Sequence, residues 1–187
     1  MTSTEAQTGA PTDAPTDAPT LLSSCARAST REEARFRVDY PNSAARSTRI
    51  FALDKQAADA MFQITEQPWQ GARFLTVANG DVDPEGTSAD ALALADSEGA
   101  KASLIQELDG ADVVVLISGT GEHAGAAEVI TREAYHRKIM TAGLALSDPG
   151  TGRTADAVVN ILRPFASVLV VAQDHEFIPA MLSALRA

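Results

Sequence analysis

The chain has 187 residues, 45% hydrophobic and 21% charged, which is the composition of one globular domain of ordinary size with a tail. Fifteen Lys and Arg against 25 Asp and Glu give a net charge of -10, which argues against binding nucleic acid or anionic membrane, because both need a basic surface. One cysteine, Cys25, excludes an intramolecular disulfide or a Cys-rich zinc site. With no apolar run near the ~18 residues that cross a bilayer, the expected compartment is the reducing cytoplasm.

Residues 2–20 repeat an Ala-Pro-Thr-Asp block and carry no large apolar side chain. Such a segment cannot offset its ordering entropy by burial, so a disordered tail over 1–20 is expected. It holds no Lys or Arg and no apolar core, unlike a secretory signal or transit peptide. Residues 21–47 are transitional. Arg35-Phe36-Arg37-Val38-Asp39-Tyr40 alternates as an edge strand would, and Pro41 ends it.

From Arg49 onward the pattern is regular. Ile50-Phe51-Ala52-Leu53 is a short apolar run, followed by Ala58, Met61, Phe62 and Thr65 at helical spacing. A second run over 73–78 closes at Asn79-Gly80; a polar loop follows, then a helix with Leu104, Ile105 and Leu108 on one face. Val113-Val114-Val115-Leu116-Ile117 is the third and strongest run, and Ala126, Ala127, Val129, Ile130 and Ala134 mark the helix behind it. The fourth run covers 141–146, and Ala155, Val158, Val159 and Leu162 form a helical stripe. The fifth covers 167–171, and a last helix carries Phe177, Ile178, Met181, Leu182 and Leu185, with Pro179 in its first turn.

Continuous apolar runs alternating with helices mean βαβ units around a parallel sheet buried on both faces. The expectation is a Rossmann-like α/β domain over 48–187. It has three αβα layers and a five-stranded, mostly parallel sheet with right-handed crossovers. The domain holds 10 basic and 19 acidic side chains, nearly all of the chain's charge imbalance.

In such a sheet, ligands bind beyond the carboxyl ends of the strands. That selects the loops at 54–56, 79–81, 118–125, 147–153 and 173–175. The segment Ser118-Gly119-Thr120-Gly121-Glu122-His123-Ala124-Gly125 follows the strongest strand and opens a helix. Its glycines permit tight backbone, and free N–H groups at a helix start favour a phosphate. It reads either as an anion loop or as a strand–helix turn that needs glycine for geometry alone. No Gly-Lys-Ser/Thr follows, so it is not a Walker loop. Asp81-Val82-Asp83-Pro84-Glu85-Gly86 imitates the start of a calcium loop, but Leu92 stands where the twelfth-position Glu belongs. No metal site is expected. His136 is read as solvent-facing, His175 as a candidate cleft residue and Trp69 as a packing residue at a helix end.

Gly110-Ala111-Asp112-Val113-Val114-Val115, the glycine loop and Gly125-Ala126-Ala127-Glu128-Val129-Ile130 resemble the tubulin-like cell-division GTPases (FtsZ-like). So does Thr141-Ala142-Gly143, and the likeness extends over about 48–178. The resemblance implies strand order 2-1-3-4-5 and a phosphate site at Ser118, Gly119, Thr120, Gly121, His123 and Gly125. Arg153 would lie near a sugar, and Lys55 would supply charge where the family's first glycine loop is missing. That place reads Leu53-Asp54-Lys55-Gln56, with an acid near the phosphates. The family's hydrolytic carboxylates and second domain have no counterpart. The implied function is therefore a cut-down, non-hydrolysing domain that binds a nucleotide such as GTP or GDP, or another phosphate ligand, in a regulatory role.

Two alternatives stand beside it. Leu116-Ile117-Ser118-Gly119-Thr120-Gly121-Glu122 also resembles the loop of phosphosugar isomerase (SIS) domains, in which Ser118 and Thr120 would hold phosphate and Glu122 or His123 would move protons. The other is a protein-interaction module with no small ligand.

Overall fold

The computed structural model describes residues 44–78, 82–147, 156–173 and 175–187. These fall within the second of two units in the chain, Asn42–Ala187. The expected tail, the transitional segment up to residue 43, Cys25 and Arg153 lie outside the described residues.

Strand β1 (Thr48–Ala52) leads into helix α1 (Lys55–Phe62), whose first turn is capped by the Asp54 carboxylate. Then come β2 (Ala72–Val77), a 3-10 turn (Ala89–Ala91), β3 (Leu94–Asp96), β4 (Lys101–Ala102) and α2 (Leu104–Leu108). The second half runs β5 (Val113–Ser118), α3 (Ala124–His136), β6 (Met140–Leu146), α4 (Asp156–Leu162), β7 (Ala166–Ala172) and α5 (Phe177–Leu185). No helix among the described residues is long and apolar enough to cross a membrane.

The seven strands lie in the order β4-β3-β2-β1-β5-β6-β7. The five runs read from the sequence are β2, β1, β5, β6 and β7, all parallel to their neighbours among the five and in the relative order expected. The total count and full order differ from the expectation, because β3 and β4 extend the sheet antiparallel to β2. They occupy what the periodicity reads as polar loop. The two strands have three and two residues, and only Leu94 among them is buried, too little alternation to register as a strand. Their turn is fixed by Asp96, whose Oδ1 accepts from the Glu98 and Ala100 amides at 3.0 and 2.9 Å.

The sheet is buried on both faces because its central strands have no polar side. Along β5, Val114 and Leu116 join a core under α2, α3 and α4, while Val113, Val115 and Ile117 join a second core under α1 and α5. That is the three-layer arrangement the continuous apolar runs demand. Gly143 in β6 lets α4 approach closely: a Cβ there would meet Leu162 and Leu169 side chains at 2.7 Å. At the amino edge of the sheet, the largely buried Glu107 bridges Arg49 at 3.2 Å and Arg73 at 3.0 Å, tying α2 to β1 and β2. Trp69 packs edge-on against Phe74 and donates to the Ile64 carbonyl at 2.8 Å, a packing role as expected.

Candidate functional site

β1 and β5 are neighbours in the sheet, but their crossovers run to opposite sides, so the switch in strand order falls between them. The crevice beyond their carboxyl ends is where a doubly wound sheet ordinarily takes its ligand. Here Asp54 fills it. The side chain is 4% exposed. Its Oδ2 accepts from the Ser118 hydroxyl at 2.9 Å, the Gly119 amide at 2.8 Å and the Thr120 amide at 3.1 Å. Its Oδ1 accepts from the Ala57 amide at 2.9 Å. The carboxylate thus stands where an oxyanion ligand was expected, joined to the loop by the hydrogen bonds such a ligand would make.

The remainder of the loop is also bonded internally. The Gly121 amide donates to Ser118 Oγ at 3.2 Å, and the Glu122 amide reaches Thr120 Oγ1 at 3.4 Å. Gly121 has φ 83, and His123 caps α3 in the left-handed region at φ 60 without a side-chain bond to the helix. Gly119 lies under the Gln56 side chain, whose Cβ would stand 2.8 Å from a Cβ at 119. At Gly125 a Cβ would collide with the Val82 carbonyl, so the loop after residue 81 passes directly over the start of α3. Arg132 holds that loop, donating from Nη2 to the Pro84 carbonyl at 2.7 Å.

The expected phosphate cradle is corrected accordingly. Ser118, Gly119, Thr120 and Gly121 do converge, but on Asp54 and on one another. Gly125 serves a backbone crossing, and His123 serves the turn. The phosphosugar-isomerase reading is corrected by the same bonds, since the Ser118 hydroxyl already donates to a carboxylate and accepts from an amide.

Lys55 points to a different place. On the α1 side of the sheet, beyond the carboxyl ends of β6 and β7, a cleft of about 470 Å3 is lined by Lys55 and Asp59 of α1 and by Gln63, which caps its C-terminus. Ser147, Gln173 and His175 face them from across the cleft. Positions 55, 59 and 63 share one face of α1 because they are spaced by four. Ser147 is held by its backbone, the amide donating to the Ala172 carbonyl at 2.7 Å. Its side chain is 5% exposed, and Oγ has no hydrogen-bond partner among the described residues. His175 stands at the cleft as the sequence suggests, and its carbonyl accepts from the Ile178 amide at the start of α5. The topological rule marked the loops holding Lys55, Ser147, Gln173 and His175. Asp59 and Gln63 were missed; their signal was the polar i, i+4, i+8 face of the first helix. Among the described residues, no three His, Cys, Asp or Glu side chains come together as metal ligands would.

No protein-family model matches the chain, and no curated protein does. Among solved structures it is similar to a flavoprotein in complex with FMN from Lactobacillus acidophilus NCFM. Identity is 14% over 73% of this chain and 98% of that chain, with a TM-score of 0.40. The expectation of GTP or GDP is corrected: in this chain Asp54 engages the amides assigned to a guanine nucleotide's phosphate.

Proposed function

We propose that this α/β domain binds a small polar molecule in the cleft between α1 and the ends of β6 and β7. The observation that carries the reading is Ser147 Oγ, a buried hydroxyl without a partner at the wall of that cleft. A buried, unsatisfied hydroxyl costs about 1–3 kcal/mol, and a ligand that bonds to it recovers this.

The lining indicates the kind of molecule. Gln56, Gln63 and Gln173 each offer a donor and an acceptor. Lys55 and Asp59 place one positive and one negative charge a helical turn apart, and no ion pair joins them among the described residues. The Asp54 carboxylate lies just behind the first turn of α1. That charge balance disfavours a polyanion. It suits a compact ligand rich in hydroxyl or amide groups, uncharged or carrying charges that cancel.

The test is a thermal-shift panel on the full chain, with amino acids, sugars, sugar phosphates and flavin mononucleotide as probes. A ligand at 100 times its Kd contributes about 2.7 kcal/mol, roughly a 5–10 °C rise in Tm for a domain of this size. The rise should shrink in Ser147→Ala and vanish in Asp59→Trp, which fills the cleft from an exposed position. A compound that stabilises all three proteins equally binds elsewhere and sinks the reading.

A further inference from the structure

We propose that the molecule taken by the cleft is a zwitterion of the α-amino-acid class with a short side chain, its carboxylate at Lys55 and its ammonium at Asp59. This assignment rests on the reading of the cleft given above and narrows it by charge and shape. Lys55 opens α1 and Asp59 follows one turn later, both exposed and both lining the cleft. Neither is joined to another side chain among the described residues. Helix stability does not account for the pair. The dipole at a helix start favours an anion there rather than a lysine, and charges four apart on a helix are better ordered with the acid first. Asp54 is not the partner of Lys55 either: its carboxylate accepts from the Ser118 hydroxyl and three backbone amides. An anion alone would meet Asp59, and a cation alone would meet Lys55. A molecule carrying both charges satisfies each.

The rest of the wall sets the shape. Its apolar part is Ala60 and Leu146, both buried, and no Phe, Tyr or Trp side chain lines the cleft among the described residues. A flavin or nucleobase would lack a large ring to stack on, whereas a short aliphatic or hydroxyl-bearing side chain fits over Ala60 and Leu146. Ser147 follows Leu146 directly, so the hydroxyl without a partner adjoins that apolar floor. Gln56 stands at the other end, beside Lys55. Its carboxamide lies across Gly119, where a Cβ would be 2.6 Å from the carboxamide carbon. Glycine at 119 thus seats a second donor group at the carboxylate end of the cleft.

Titration calorimetry of the full chain tests this with L-alanine, L-serine and L-valine, each beside its 2-hydroxy acid and its carboxamide. The hydroxy acid lacks the ammonium and the carboxamide lacks the carboxylate, with little change in size. At least one zwitterion should bind about tenfold more tightly than either analogue, the factor that separates a charge-assisted hydrogen bond from a neutral one. In Lys55→Gln the advantage over the carboxamide should fall below about threefold while the advantage over the hydroxy acid persists. Asp59→Asn should do the reverse. Both positions are exposed, so both variants should keep the wild-type Tm. Equal binding of a zwitterion and its analogues, or preferences that ignore both variants, overturns the assignment. So does binding of glycerol or a neutral sugar in place of the amino acids. In those cases a loss of binding in Asp59→Trp shows that the cleft itself still stands. Silence from every probe, or binding that Asp59→Trp leaves intact, overturns the assignment and the cleft together.

Discussion

The crevice between β1 and β5 and the cleft beside β6 and β7 lie at the same carboxyl edge of the sheet, and α1 contributes to both. Asp54, the residue before α1, closes the first by accepting from Ser118, Gly119, Thr120 and Ala57. Lys55, Asp59 and Gln63 face the second, where Ser147 presents a hydroxyl that nothing described satisfies. The two places hold similar group types, a helix start and a hydroxyl at a strand end. They differ in whether the chain itself supplies the missing partner. A glycine-rich loop at a switch point is therefore not a ligand site until its amides are shown to be free.

The sharpest way to break this contrast is to remove the internal partner. Asp54→Ala leaves one hydroxyl and three amides without their acceptor and removes the cap of α1, with an expected loss of about 3–5 kcal/mol in urea unfolding. The vacated amides should then donate to inorganic phosphate. Millimolar phosphate should raise the Tm of Asp54→Ala and leave the wild type unmoved. Equal response of both proteins would mean that the crevice was never closed.

A smaller effect is expected at Gly125→Ala, where the new methyl meets the Val82 carbonyl. A cost of about 1–3 kcal/mol follows from overpacking against backbone, read from the urea midpoint. A neutral result would show that the loop over α3 is loosely held.

Ser147→Ala reverses the sign. Removing a buried hydroxyl that has no partner relieves its desolvation penalty, offset in part by the packing lost with the oxygen, so stability should rise by up to about 1 kcal/mol. If it destabilises by more than that, the hydroxyl is bonded in the free protein and the contrast between the two places disappears. Lys55→Ala should be smallest, within about 0.5 kcal/mol, because the side chain is exposed and makes no ion pair among the described residues. Its effect should appear only in the ligand-induced Tm shift, if the bound molecule carries an acidic group.

The run from Val113 to Ile117 made β5 legible, and the stripes at 126–134 and 178–185 made α3 and α5 legible, because long apolar patterns leave a strand or helix little alternative. The β3–β4 hairpin was illegible because five residues with one buried side chain carry no period. The glycine loop was legible as a loop and misread as a site. Asp54 and Gly119 are 65 positions apart, and the sequence indicates an acid near the loop without indicating that the acid bonds to it.

Local chemistry alone thus determined the five parallel strands, the helices between them and the edge of the sheet where loops gather. Hydrophobic periodicity is a property of neighbours in the chain, and it survives being read without coordinates. Which of two crevices is closed was decided only by the tertiary structure. Hydrogen-bond satisfaction and strand order depend on groups that meet in space from distant positions, and a vacancy exists only after every available partner has been placed.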